Sequence, residues 1–91
     1  MNYPRRLEGL SIEPADGGWM IEHPQLDRVH NLSPTAMLIL ELCDGNRSPF
    51  EIARLLTEAY TVSGEPIEAV QRALAQLEDS GLIGWRSESD D

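Results

Sequence analysis

The stretch Arg28-Val29-His30-Asn31-Leu32-Ser33-Pro34-Thr35-Ala36-Met37-Leu38-Ile39-Leu40-Glu41-Leu42-Cys43-Asp44-Gly45 holds the change of period on which the fold turns. Up to Leu32 the pattern is that of a short strand. Arg28, His30 and Leu32 share one face, and Val29 and Asn31 the other. Ser33-Pro34 ends the alternation. A serine offers its hydroxyl oxygen to the unpaired N–H groups of a first helical turn, and a proline at the first helical position needs no donor. The run Ala36, Met37, Leu38, Ile39, Leu40 and Leu42 is then the apolar body of a helix. It stops at Asp44-Gly45, where Gly45 can take the left-handed C-terminal position.

Toward the N-terminus the strand pattern continues. Leu10 and Ile12 alternate with polar neighbours, and Trp19 and Ile21 alternate with Met20 and Glu22. Ala15-Asp16-Gly17-Gly18 lies between them, with Asp-Gly and Gly-Gly steps that supply positive φ for a hairpin turn. Pro14 and Pro24 bracket the hairpin and suit strand ends. Met1 to Leu7 shows little pattern and Ser87 to Asp91 is polar and acidic, so both ends are expected to fray, leaving an ordered core of about 8–86.

Toward the C-terminus the pattern is helical. Ser48-Pro49-Phe50-Glu51 opens a second helix, with Ser48 and Glu51 at the spacing of a reciprocal capping box. Ile52, Leu55, Leu56 and Ala59 form its apolar face, and Tyr60 ends it near Ser63-Gly64. A third helix starts around Pro66. Ile67, Val70, Leu74 and Leu77 follow steps of three and four on one stripe, and Gly81 stops the helix with Leu82 folded back over its last turn. Leu82-Ile83-Gly84-Trp85 is either a final strand or an extended tail against the core. The predicted fold class is α+β and winged-helix-like: a three-stranded N-terminal antiparallel sheet followed by three helices.

Composition bounds the function. The 91 residues suit a single domain spanning 1–91. No apolar run approaches the ~20 residues that span a bilayer, so no membrane partner is expected. Met1 to Arg6 has no apolar segment behind it, so no signal peptide is read. Cys43 is the one cysteine. It cannot form an internal disulfide, it falls in an apolar helix pattern, and a buried structural thiol in a reducing, cytoplasmic compartment follows. The Cys and His residues show no metal-ligand spacing, and no cofactor is implied. His23 and His30 have no nucleophile nearby in sequence, and no phosphate-binding glycine loop or hydrolase motif occurs; no catalytic residues are assigned and the chain is not read as an enzyme.

The net charge is −9, and all seven basic residues are arginine. Arg5, Arg6, Arg28, Arg47, Arg54, Arg72 and Arg86 are spread along the chain, so no basic face is expected. The alternative function, a winged-helix DNA-binding regulator, would send the third helix into the major groove. That helix carries Glu65, Glu68, Glu78 and Asp79 against Arg72 alone, which opposes phosphate, and no nucleic-acid partner is expected. An acyl carrier protein would need its serine at a helix start. In Asp79-Ser80-Gly81-Leu82 the serine is at a helix end, and the N-terminal strands do not suit an all-helical carrier.

The chain resembles the PqqD family, also called RiPP recognition elements. The matching residues are Leu32-Ser33-Pro34-Thr35-Ala36, Ile39, Leu40, Leu42 and Asp44-Gly45, then Glu51-Ile52, Leu55-Leu56 and Tyr60, then Val70, Leu74, Leu77 and Gly81-Leu82-Ile83. The order of elements agrees along the whole chain, and Leu32 to Ile83 agrees best. Ser33 departs from a frequent asparagine; both are good N-caps. The resemblance implies that the protein binds the leader segment of a ribosomally synthesised precursor peptide. It also implies presentation of that leader to a modifying enzyme, often a radical-SAM protein. The leader would act as an added strand on the edge of the third strand, beside the third helix. The residues that this places at the site are Arg28, Val29, His30, Asn31, Leu32, Ala69, Val70 and Ala73. Ala69, Ala73, Gln76 and Ser80 recur at steps of three and four, and small residues there leave room for a groove, or else pack in the core.

Overall fold

The computed structural model describes residues 2–23, 25, 28–59 and 65–87. In chain order the elements are β1 (Asn2–Arg6), β2 (Ser11–Ala15), β3 (Gly18–His23), β4 (Arg28–Leu32), α1 (Pro34–Leu42), α2 (Pro49–Ala59), α3 (Pro66–Asp79) and β5 (Ile83–Ser87). The expected α+β class and the three-strand, three-helix order hold. Pro24, Tyr60 and the Ser63-Gly64 break lie outside the described residues.

Strands β2, β3 and β4 form an antiparallel meander in that order. Ala15 pairs with Gly18 across the two-residue turn, in which Gly17 takes φ +76°. Asp16 stays at negative φ, so a single glycine supplies the left-handed step. Gly18 is needed for a different reason. A Cβ there would land on the carbonyl oxygen of Leu32, so its hydrogen lets the two backbones meet.

The first helix begins as its sequence dictates. Ser33 is extended, at φ −66° and ψ 162°, and its Oγ accepts from the Ala36 N–H at 3.1 Å. For α2 the capping box is reciprocal: Ser48 Oγ accepts from the Glu51 N–H and Glu51 Oε1 accepts from the Ser48 N–H, each at 3.2 Å. Gly81 takes φ +77° after α3, and the Leu82 N–H returns to the Leu77 carbonyl at 2.9 Å. That reversal buries Leu82 completely and aims the chain into β5.

The core gathers one or more residues from nearly every layer. Ile21 comes from β3; Ile39 and Leu40 from α1; Ile52 and Leu56 from α2; Val70, Leu74 and Leu77 from α3. Ile83 from β5 closes it. Ile67 packs at its margin. Among the described residues no helix is long and apolar enough to cross a membrane.

One expectation fails. Residues 2–6 do not fray: they form β1, antiparallel to β5, with Asn2 opposite Ser87 and Arg6 opposite Ile83. On its other side β1 meets the turn after α1, where the Arg6 N–H donates to the Cys43 carbonyl and the Gly45 N–H to the Pro4 carbonyl, both at 2.9 Å. The segment Asn-Tyr-Pro-Arg-Arg has no apolar alternation because backbone bonds on both sides hold it, and only Pro4 is buried. The alternative left open for the C-terminal end resolves as a strand.

Candidate functional site

The edge of the meander and the end of the bundle meet in one place. Strand β4 pairs only with β3 among the described residues, in a register that sets Leu32 opposite Trp19 and His30 opposite Ile21. Its outer edge therefore carries backbone N–H and C=O groups without strand partners. The inward residues His30 and Leu32 are half-buried, while Val29 is 53% exposed and Asn31 faces solvent.

Between β4 and the C-terminal half of α3 lies a groove of about 300 Å³. His30, Asn31 and Leu32 form the strand side. Ala73, Gln76, Leu77, Asp79 and Ser80 form the helix side, and Ala36 comes from the first turn of α1. The two alanines keep the groove open, since longer side chains at 36 or 73 would occupy it. Leu77, 2% exposed, belongs to the core and provides an apolar base. Gln76, Asp79 and Ser80 provide polar groups, and among the described residues Asp79 is the acidic side chain on the walls. His30 Nε2 is buried with no hydrogen-bond partner among the described residues.

Of the residues assigned from sequence, the structure brings His30, Asn31, Leu32 and Ala73 together on the groove. Arg28 and Val29 are exposed on β4 and do not line it. Ala69 is half-buried and sits one turn before Ala73, outside the lining. Val70 is a correction: it is fully buried and faces the core with Leu74 and Leu77. One residue is 100° of helix rotation, enough to separate the Val70 stripe from the Ala73 stripe. Ala36, Gln76, Leu77, Asp79 and Ser80 were not assigned. Gln76 and Ser80 continue the Ala69-Ala73 spacing, which was the available signal. Ala36 follows from the tight Leu32-Ser33-Pro34 connection, which keeps the start of α1 beside the end of β4.

Comparison with known proteins places the fold. The family model described as coenzyme PQQ synthesis protein D (PqqD) matches residues 18–83. Among solved structures, one described as lasso peptide synthetase B1 complexed with the leader peptide superposes with a TM-score of 0.71. It is 22% identical, and the match covers 89% of this chain and 96% of that one. At that identity the likeness concerns the fold. No curated protein matches the chain by sequence. The family match runs from the β3 hairpin to the first residue of β5 and takes in both walls of the groove: the chain belongs to the PqqD family.

Proposed function

We propose that this protein binds the leader segment of a ribosomally synthesised precursor peptide and presents it to a modifying enzyme, such as a radical-SAM protein. The observation that carries the reading is the open edge of β4 bordered by the groove against α3. An extended peptide laid along Val29 to Leu32 gains backbone hydrogen bonds from the edge, and these supply affinity for any sequence. Side chains on alternate positions of that peptide turn into the groove, where Ala36, Ala73 and Leu77 accept an apolar group. Gln76, Asp79 and Ser80 then fix the register, and Asp79 favours a neutral or basic leader residue there. Arg28 and Val29 extend the pairing edge without reaching the groove. Membership of the PqqD family and a fold shared with a protein solved with its leader peptide support the reading. No step in this role needs a catalytic group: the chemistry belongs to the partner enzyme.

The test is a titration with a candidate leader peptide, read by NMR and calorimetry. Backbone signals of Val29 to Leu32 should shift together with those of Ala73 and Gln76. Ala73→Trp fills the groove from a half-buried helix position and should weaken binding about tenfold or more, with the melting midpoint checking that the fold persists. Shifts confined to α2, with Val29 to Leu32 silent, reject this placement. Retention of that leader by a candidate modifying enzyme only in the presence of this protein would check the presentation step.

A further inference from the structure

The meander has a second face. Side chains alternate along each strand, so Ile12, Trp19, Ile21 and Leu32 turn to the core while Glu13, Met20, Glu22 and Val29 turn away from it. All four of the latter are exposed, Met20 at 36% and Val29 at 53%. The strand registers lay them out as a grid. Glu13 stands opposite Met20, and Glu22 opposite Val29. Glu13 and Glu22 are thus diagonal neighbours across β2 and β3, and Met20 and Val29 are diagonal neighbours across β3 and β4. Diagonal neighbours sit about 7–8 Å apart, within reach of long side chains. An acidic diagonal and an apolar diagonal therefore run side by side. The ion pairs among the described residues are Arg5–Glu8 and Arg47–Asp44, so neither Glu13 nor Glu22 has an ion-pair partner there. Arg28, next to Val29, alternates to the other side with His30 and Leu32. Two adjacent carboxylates without a counter-ion repel each other, and one basic side chain set between them relieves both. The face is also continuous with the open edge of β4. The Leu32 carbonyl lies against Gly18, so it points at β3. Backbone groups alternate sides along an antiparallel strand, which sends those of Val29 and Asn31 to the open edge. A peptide paired there turns the residues opposite Val29 and Asn31 to the outer side and adds a column to the grid.

We infer that the outer face of the meander docks a partner protein, which sets a basic side chain between Glu13 and Glu22 and rests an apolar one on Met20 and Val29. Charge selects that occupant. The phosphates of a nucleic acid or of an anionic lipid surface are repelled. A second copy of this chain would set an uncompensated acidic face against itself. An exposed ion pair contributes little alone, and the apolar diagonal beside it supplies the rest of the contact. The identification of this partner with the modifying enzyme rests on the leader reading. On that reading the enzyme meets the outer face and the outward side chains of the leader as one surface.

The probe is a short synthetic peptide of alternating lysine and leucine, added to the full chain and followed by NMR at the Met20 methyl group and the backbone N–H groups of Glu13, Met20 and Glu22. Saturable shifts there are expected. A lysine–serine peptide of equal charge should bind about tenfold more weakly, and a glutamate–leucine peptide should not bind. Glu13→Gln combined with Glu22→Gln should weaken binding of the lysine–leucine peptide about tenfold. Met20→Thr keeps a strand-forming side chain but removes the apolar length, and it should weaken binding about threefold or more. Both variants change exposed positions outside the groove, so leader affinity should be unchanged. Several outcomes overturn the proposal: no saturable shift, full affinity in either variant, or shifts at Ala73 and Gln76, which would put the peptide on the leader's edge. Shifts of equal size at Glu58 and Glu68 on the helices would show only the pull of a net charge of −9, and reject a defined face. Signals that move on dilution without peptide would make a second copy the occupant. The leader titration reads Ala73 and Gln76 while this one reads Glu13 and Met20, so either reading can fail with the other intact.

Discussion

The thiol of Cys43 is fully buried and donates to the Ile39 carbonyl at 3.1 Å. Burial pushes its pKa up to about 12, and the Asp44 carboxylate beside it adds to the rise. The native thiol should therefore stay unlabelled by a maleimide at neutral pH and react only in denaturant. Rapid labelling of the native protein would contradict this environment. The sign for stability follows. The raised folded pKa gives a contribution that is complete below the ordinary thiol value of 9.0 and declines as pH rises toward about 12. Cys43→Ala should flatten the alkaline limb of the urea-midpoint profile between those values. The thiol was legible from its place in an apolar helical run. Val70 was not: adjacent residues on a helix can face core or groove, and the stripe spacing does not say which wall β4 will meet.

The elements with local signals were read well, because their causes are local. The capping box of α2 is such a case: Ser48 is 5% exposed and its hydroxyl satisfies the Glu51 N–H. Ser48→Ala should cost about 1 kcal/mol, read as a lower urea midpoint with unchanged slope, whereas Ser48→Asp should restore most of it. No loss in the alanine variant would mean that the cap is idle. Strand β4 was equally legible, as a short alternating run closed by Ser33-Pro34. Strand β1 was hidden, since Pro4 and two arginines argue against a strand on propensity. Its cause is nonlocal: backbone bonds to β5 and to the Cys43–Gly45 turn, both distant in sequence.

At the scale of the molecule the charge distribution is a product of topology. A list of arginine positions does not show that Arg5 and Arg86 come together, and the β1–β5 ribbon brings them onto one face from distant parts of the sequence, with Asp44 bridged to Arg5 beside them. The groove is also a product of tertiary placement. Its strand wall and Ala73 were anticipated, while Ala36 and Asp79 needed the docking of α1 and α3. Deletion of residues 1–6 should strip β5 of its partner and uncover Ile83, which is 4% exposed, lowering stability by roughly 2 kcal/mol or more in urea unfolding. An unchanged midpoint would make the ribbon peripheral to the fold. The ribbon also fixes the separation of residues 2 and 87. Asn2 and Ser87 face each other across one pair of strands, a few ångströms apart. A polypeptide arriving at one and departing from the other would scarcely be diverted. A short linker from residue 87 back to residue 2, with the chain reopened in a surface loop, should therefore leave groove and core undisturbed, as a far-UV spectrum and urea midpoint would check.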